Sequence, residues 1–204
     1  MSIAILATES GGARRLKAAI GGLALLALAG CGGGPAPQTF DLSALQGAAR
    51  AGALRGQLVV TEPVATQALD SDRIVVRPTP ESVAYLTGAQ WSDRLPRLVQ
   101  TRLVQSLENA HLLKSVGRPV DRIASDYTLD AELRRFEIDT TRNAAVVEIT
   151  VKLIASTSGR IVAADVFVAE MAGSASNGAA AAQSLDAALG EAMGKIVRWI
   201  GARI

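Results

Sequence analysis

Between Val147 and Leu153 the chain alternates strictly: Val147, Ile149, Val151 and Leu153 are apolar, whereas Glu148, Thr150 and Lys152 between them are polar. A period of two turns one set onto a buried face and the other into water, which predicts a half-covered strand. Upstream, Tyr127, Leu129, Ala131 and Leu133 occupy odd positions, but Phe136 and Ile138 fall on even ones. The phase slips near Arg134-Arg135, and a β-bulge there restores one apolar face. Downstream, Thr157-Ser158-Gly159-Arg160 reads as a turn, and Ile161, Ala163, Phe167, Ala169 and Met171 read as one face of a third strand. The three segments together predict an antiparallel meander.

Two stretches have helical spacing instead. Leu95, Leu98, Val99, Leu103 and Leu107 form one apolar stripe to about Ala110, with Pro96 in the first turn and Ser92 or Asp93 as the expected cap. Beyond a small-residue loop from Gly173 to Gly178, a second stripe runs through Leu185, Ala188, Leu189, Ala192, Ile196 and Trp199. Shorter β-branched runs, Leu58-Val59-Val60 within 57–63 and Ile74-Val75-Val76 within 73–78, are closed by prolines. Turn residues 78–81 then let Val83 to Leu86 return as a hairpin partner that Gly88 ends. Thr39 to Leu42 is a candidate first strand, and 43–56, rich in Ala, Gly and Arg, reads as a loop or short helix. Each helical stripe and the apolar sheet face need a partner, so the expected class is α+β: two layers, a largely antiparallel sheet with two amphipathic helices packed on it.

The N-terminus follows a different logic. Arg14, Arg15 and Lys17 precede an apolar run from Ala18 to Ala29, then small residues and Cys31. That order reads as an export signal, and about a dozen apolar residues fall short of the roughly twenty that span a membrane. Leu28-Ala29-Gly30-Cys31 matches a lipobox, in which small side chains admit the backbone to a signal peptidase and the cysteine thiol takes a diacylglycerol. Gly32-Gly33-Gly34-Pro35-Ala36-Pro37 next to it has the composition of a tether, which speaks against Cys31 as a core residue. More than one acyl chain gives durable anchoring, so diacylglycerol plus an N-acyl lipid on Cys31 is the expected attachment. The division expected is residues 1–30 signal peptide, 31–56 lipidated N-terminus and tether with the short first strand, and 57–204 a single domain. Met1 to Gly12 is long for the region ahead of a basic cluster, which leaves the translation start open.

Composition narrows the classes further. Cys31 is the sole cysteine, so the exported domain must be stable without disulfides. Removing Arg14, Arg15, Lys17 and Glu9 from 21 basic and 19 acidic residues leaves 18 of each, a neutral mature chain. With no basic block interleaved with aromatics, a nucleic-acid partner is excluded. No G-x-S-x-G, Walker loop or strand-linked G-x-G-x-x-G occurs, so nucleotide hydrolysis belongs to a partner.

The run Leu69-Asp70-Ser71-Asp72-Arg73-Ile74-Val75-Val76-Arg77, then Val83-Ala84-Tyr85 and Trp91-Ser92-Asp93-Arg94-Leu95-Pro96, resembles the ABC-type transport auxiliary lipoprotein family, which includes the paraquat-inducible (Pqi) lipoprotein. The likeness continues through Leu98 to Leu107, Tyr127-Thr128-Leu129, Arg135-Phe136-Glu137-Ile138 and the last helix with Trp199. The resemblance implies a periplasm-facing, non-enzymatic partner of an ABC transporter whose substrate-binding subunit carries mammalian-cell-entry (MCE) domains. Such systems move lipids between membranes or maintain the outer membrane. The family's shared pieces are packing motifs, so no catalytic residue is carried over and no metal is expected. Gly32 after the cysteine, where an aspartate would retain the protein at the inner membrane under the enterobacterial rule, favours the outer membrane. The alternative is a periplasmic lipid-binding module holding an acyl chain between helices and sheet, and homo-oligomerisation stays open.

Several side chains remain as site candidates. Trp91 and Trp199 are the large aromatics in an aromatic-poor chain, each either an interface hot spot or core. Arg73, Arg77 and Arg94 flank the family-like motif and are interface candidates, pairing with Asp72, Asp93 or a partner's acids. Asp70 and Asp72 form a D-x-D that reads as a solvated or capping turn more than a metal site. Asp130 and Glu132 fall on the polar face of a strand, where an acid–base pair competes with a plain wet face. His111, the sole histidine, has no second histidine to form a ligand set and reads as structural.

Overall fold

The computed structural model describes residues 36–47 and 56–204; Cys31, the signal segment and most of the tether lie outside the described residues. Nine strands and two long helices follow in the order β1 (Gln38–Phe40), β2 (Gln57–Val60), β3 (Val64–Ala65), β4 (Arg73–Thr79), β5 (Ser82–Trp91), α1 (Leu95–Asn109), β6 (Ser115–Gly117), β7 (Tyr127–Asp139), β8 (Ala144–Ala155), β9 (Arg160–Ala172) and α2 (Gly178–Gly201). All strands join one mixed sheet, and both helices pack on it, the α+β arrangement expected from the stripes.

The meander is as the alternation requires. β7 pairs antiparallel with β8 from Tyr127↔Ala155 to Asp139↔Ala144, and the register shifts between Leu133 and Arg135, where the apolar phase slips. β8 pairs antiparallel with β9 along its whole length. Leu129, Leu133, Phe136, Ile138, Val147, Ile149, Val151 and Leu153 are all sealed into the core. The bulge is thus the device by which an odd-numbered apolar run and an even-numbered one share one face.

The other side of β7 carries an arrangement that local pattern does not reveal. Three short strands lie along it end to end, all parallel to it: β2 at Leu58↔Tyr127, β3 at Val64↔Glu132 and β4 at Val75↔Glu137. The antiparallel ladders carry most of the paired positions, but β1 with β5 and β2 with β6 are parallel as well. β5 also runs past Gly88, the expected end, to Trp91: Gly88 takes φ +72°, a conformation that costs glycine nothing, where the ladder with β4 shifts register. The first strand spans Gln38–Phe40, slightly earlier than Thr39 to Leu42, and residues 43–47 have no regular structure.

Helix α1 buries Leu95, Leu98, Val99, Leu103 and Leu107, the stripe read from the sequence. Its cap differs. Arg94 is the N-cap and offers no side-chain acceptor. Ser92 is still bound to the sheet edge through its amide and Phe40 O at 2.7 Å, so the chain enters the helix only after leaving β5. Helix α2 begins at an Asn177 cap whose Oδ1 accepts from the Ala180 amide at 2.8 Å, and buries Leu185, Ala188, Leu189, Ala192, Ile196 and Trp199.

The outer strand β9 corrects one expected face. Phe167 and Ala169 are buried, but Ile161 and Met171, toward its two ends, are exposed. Its free edge is blunted: the Val166 amide donates to Asp165 Oδ1 at 2.9 Å, and Lys195 from α2 donates to Val168 O at 2.8 Å. The helices leave the opposite face of the sheet uncovered among the described residues, and that face carries Glu132, Glu148 and Lys152 together with exposed Val162, Val166 and Val168.

Candidate functional site

Trp91 is a core residue and not part of a surface. It is 1% exposed, and its ring meets Phe136 edge-on with centroids 5.8 Å apart, so the interface reading is corrected: the ring at the end of β5 is sealed in the core against β7. Trp199 is 7% exposed, with Phe167 edge-on at 5.8 Å and the Arg203 guanidinium 4.3 Å above the ring. It too is packing, although its buried indole N–H has no hydrogen-bond partner. Both indoles complete the apolar layer that the stripes and the sheet face require.

The three arginines separate into distinct roles. Arg73 is exposed and lies 4.0 Å over the Tyr85 ring. Arg94 is half-exposed and pairs with Glu62 at 3.1 Å and with Asp70, so its acids are not the Asp72 and Asp93 expected from sequence proximity. Asp93 instead holds Arg97 one helical turn on, at 3.4 Å, and Asp70 serves as an ion-pair partner in its turn. Arg77 is taken up inside the molecule: its Nε donates to Glu137 at 2.7 Å and its Nη1 to Pro80 O at 3.0 Å. Its guanidinium is thus engaged within the molecule, with its side chain 26% exposed. Arg73 and Arg94 are the more exposed of the three, Arg94 while paired to Glu62 and Asp70.

Arg77 belongs to a network that sequence spacing did not disclose. Glu137, only 1% exposed, also accepts from Arg135 Nε at 2.8 Å. Asp139 accepts from the Thr141 hydroxyl at 2.6 Å, the Thr141 amide at 3.1 Å and Arg142 Nε at 2.9 Å, while Arg142 Nη1 reaches Glu170 at 3.0 Å. Strands β4, β7 and β9 and the β7–β8 turn are tied together on the sheet face away from the helices. Glu137 sits there because the bulge moves Phe136 and Ile138 to the core and turns the residues between and beyond them outward. The only sequence signal was the phase slip; the partner of Glu137 is 60 residues away.

The Thr141 hydroxyl, followed by the Arg142 guanidinium and amide, holds the Asp139 carboxyl down at about 2. A carboxyl depressed in the folded state stabilises the fold fully above its ordinary value of 3.8 and loses that contribution as pH falls toward about 2. Melting temperatures followed from about pH 5 to pH 2 should therefore fall less steeply for Asp139→Asn than for the parent chain over the acid limb. Parallel curves would show that Asp139 has no such role.

The remaining candidates behave more simply. His111 is exposed in a left-handed turn just after α1, with φ 50°, so it is a turn residue. Asp130 and Glu132 lie on the polar face of β7, as the alternation requires, and Asp130 accepts from the Thr61 hydroxyl at 2.9 Å. Among the described residues no three His, Cys, Asp or Glu side chains are grouped as a metal ion would need.

Comparison with known proteins bears on the whole described domain. An uncharacterized protein of Bradyrhizobium diazoefficiens is 30% identical over 170 residues, covering 82% of this chain and 46% of that protein. The chain therefore spans about half the length of that curated relative. A crystal structure of a Xanthomonas campestris protein superposes with TM-score 0.74 at 29% identity, covering 81% of this chain and 96% of that one. A second crystal structure, of an uncharacterized protein, gives TM-score 0.65 at 16% identity over 81% of this chain and 99% of that one, a likeness of fold alone. The sequence profile of one family matches residues 40–197, from the end of β1 into the last turns of α2. The chain belongs to the ABC-type transport auxiliary lipoprotein component family.

Proposed function

We propose that this protein is a non-enzymatic subunit of an MCE-type ABC transporter that moves lipid between membranes, held at the outer membrane and facing the periplasm by acyl chains on Cys31. The observation that carries this reading is one of order along the chain. A lipobox at Leu28-Ala29-Gly30-Cys31 and a Gly/Pro tether lead directly into a domain whose family match begins at residue 40. No helix among the described residues is long and apolar enough to cross a membrane, so on this reading attachment falls to the lipid. A durable anchor also suits a subunit whose domain need only present a surface to a partner, since Arg73 and Arg94 are the motif arginines left accessible. The alternative, an acyl chain carried between helices and sheet, gains nothing from the packing: Leu103, Ile149, Leu189 and Ile196 meet there with no exposed surface.

Labelling cells with radioactive palmitate and fractionating their membranes tests the anchor. The parent chain should carry label and sediment with membranes, and Cys31→Ala should do neither. A Cys31→Ala protein that is exported, stays soluble and still restores envelope integrity would overturn the anchoring. A photo-crosslinker placed at Arg73 or Arg94 should capture an MCE-domain subunit from intact membranes. Capture of other envelope proteins in its place would defeat the assigned partner.

A further inference from the structure

On the uncovered face of the sheet, the segment joining β2 to β3 and the strands β7 and β8 enclose a groove of about 430 Å³, within the range of small-molecule sites. Thr61, Val64, Asp130, Glu132, Thr150 and Lys152 line it. The sheet register explains the grouping. Lys152 lies directly across from Asp130, and Thr150 directly across from Glu132, whose other neighbour is Val64. Polar groups of β7 and β8 and one apolar side chain of β3 therefore converge from three strands.

Two independent features mark this groove as incomplete. The first is charge. Of the charged residues lining the groove, Glu62, Asp130 and Glu132 are acidic and Lys152 is basic. Arg94 is shared by Glu62 and Asp70, and Arg134 is spread between Glu132 at 3.9 Å and Glu148 at 3.7 Å. Two negative charges are in surplus. The second is Thr150: it is 8% exposed, lines the groove, and its buried hydroxyl has no hydrogen-bond partner. A buried hydroxyl left unpaired costs free energy, which a ligand's donor can relieve.

The occupant that answers both features is an organic cation. Among the described residues the acids do not gather as a metal ion requires. Val64, 70% exposed at the rim, offers a carbon chain a surface that a hydrated metal ion would not use. We propose that the groove binds an organic ammonium group, its head between Asp130 and Glu132, the Thr150 hydroxyl accepting one of its N–H bonds, and its carbon chain against Val64. The ammonium can belong to a free amine or to a lysine side chain of a protein, and the recognition chemistry is the same. Lys152 is the intramolecular competitor for the same carboxylates.

Titration of the full-length protein in detergent, by calorimetry and by amide chemical shifts, tests the site with two probes: 1,4-diaminobutane and the tripeptide acetyl-Gly-Lys-Gly-amide. At least one should bind saturably, with shifts centred on Asp130, Glu132 and Thr150. Glu132→Gln, which removes a negative charge beside the ammonium, and Thr150→Val, which removes a hydrogen bond to it, should each weaken binding roughly tenfold. Lys152→Gln should tighten it severalfold by removing the competitor. Binding of the diamine alone would assign a free amine, and binding of the peptide alone a protein side chain. Absence of saturation up to about 20 mM, far weaker than the millimolar affinity of a minimal site, would overturn the proposal. So would weaker binding to Lys152→Gln, or equal binding of butanoate, because either result marks an anion site. Glu132 is exposed and Val is isosteric with Thr, so circular dichroism of both variants should match that of the parent.

Discussion

Replacing Trp91 by alanine should lower folding stability by about 3–5 kcal/mol, the usual range for deleting a large aromatic from a closed core. The indole is 1% exposed and packed edge-on against Phe136 of β7, within the core cluster. The loss has three sources: apolar area returned to water, the aromatic contact, and a cavity that neighbours anchored in the sheet cannot fill. Against a total stability of about 5–15 kcal/mol, this is a large share. In urea unfolding followed by far-UV circular dichroism the midpoint should drop by roughly 2 M, with little change in slope. Val64→Ala is the control, because Val64 is 70% exposed; it should stay within about 0.5 kcal/mol. A Trp91→Ala midpoint within the error of that control would show that the indole is not an element of the core.

A comparable effect is expected from the ionic network, and here most of the loss can be recovered by a further substitution. Glu137 is 1% exposed and its carboxylate is held by Arg77 and Arg135. Changing both arginines to methionine leaves a buried carboxylate without a counter-charge, and breaking a buried pair in this way costs about 3–5 kcal/mol. Adding Glu137→Leu should restore most of the loss, because the charge that had become uncompensated is gone and an apolar group of similar volume replaces it. The parent and the two variants are compared by the same urea titration. If the double variant is as stable as the parent, Glu137 is solvated and the network adds nothing. If the triple variant stays as unstable as the double one, the arginines act through their packing and not through charge.

The two experiments address different kinds of information. Trp91 stood in the sequence as a residue with two readings, interface or core, and nothing local could separate them. The choice depends on whether the end of β5 meets Phe136 of β7 inside the core, which is a tertiary fact. Glu137 stood only as one letter in a family-like strand. Its burial follows from the bulge beside it, and its charge compensation comes from Arg77 on a strand that precedes it by 60 residues. Separation along the chain also hid the partner of Arg94: Asp70 is 24 residues away, whereas Asp93 was adjacent and looked the better match.

What the sequence determined alone are the features that depend on neighbours along the chain. Alternation from Val147 to Leu153 dictates a two-faced strand, the phase slip after Leu133 dictates a bulge, and the stripes from Leu95 and Leu185 dictate helices with one face to bury. Those faces fit together in few ways, so the α+β class was legible too. Tertiary structure decided everything that pairs distant segments. It set β2, β3 and β4 in line and parallel along one edge of β7, carried β5 through Gly88 to Trp91, and joined Arg77 to Glu137. It also gathered Thr61, Asp130, Glu132 and Thr150 into one groove. The physical reason is that periodicity records which side of its own backbone a residue occupies, while strand order and charge pairing depend on which of many chemically similar surfaces that side meets.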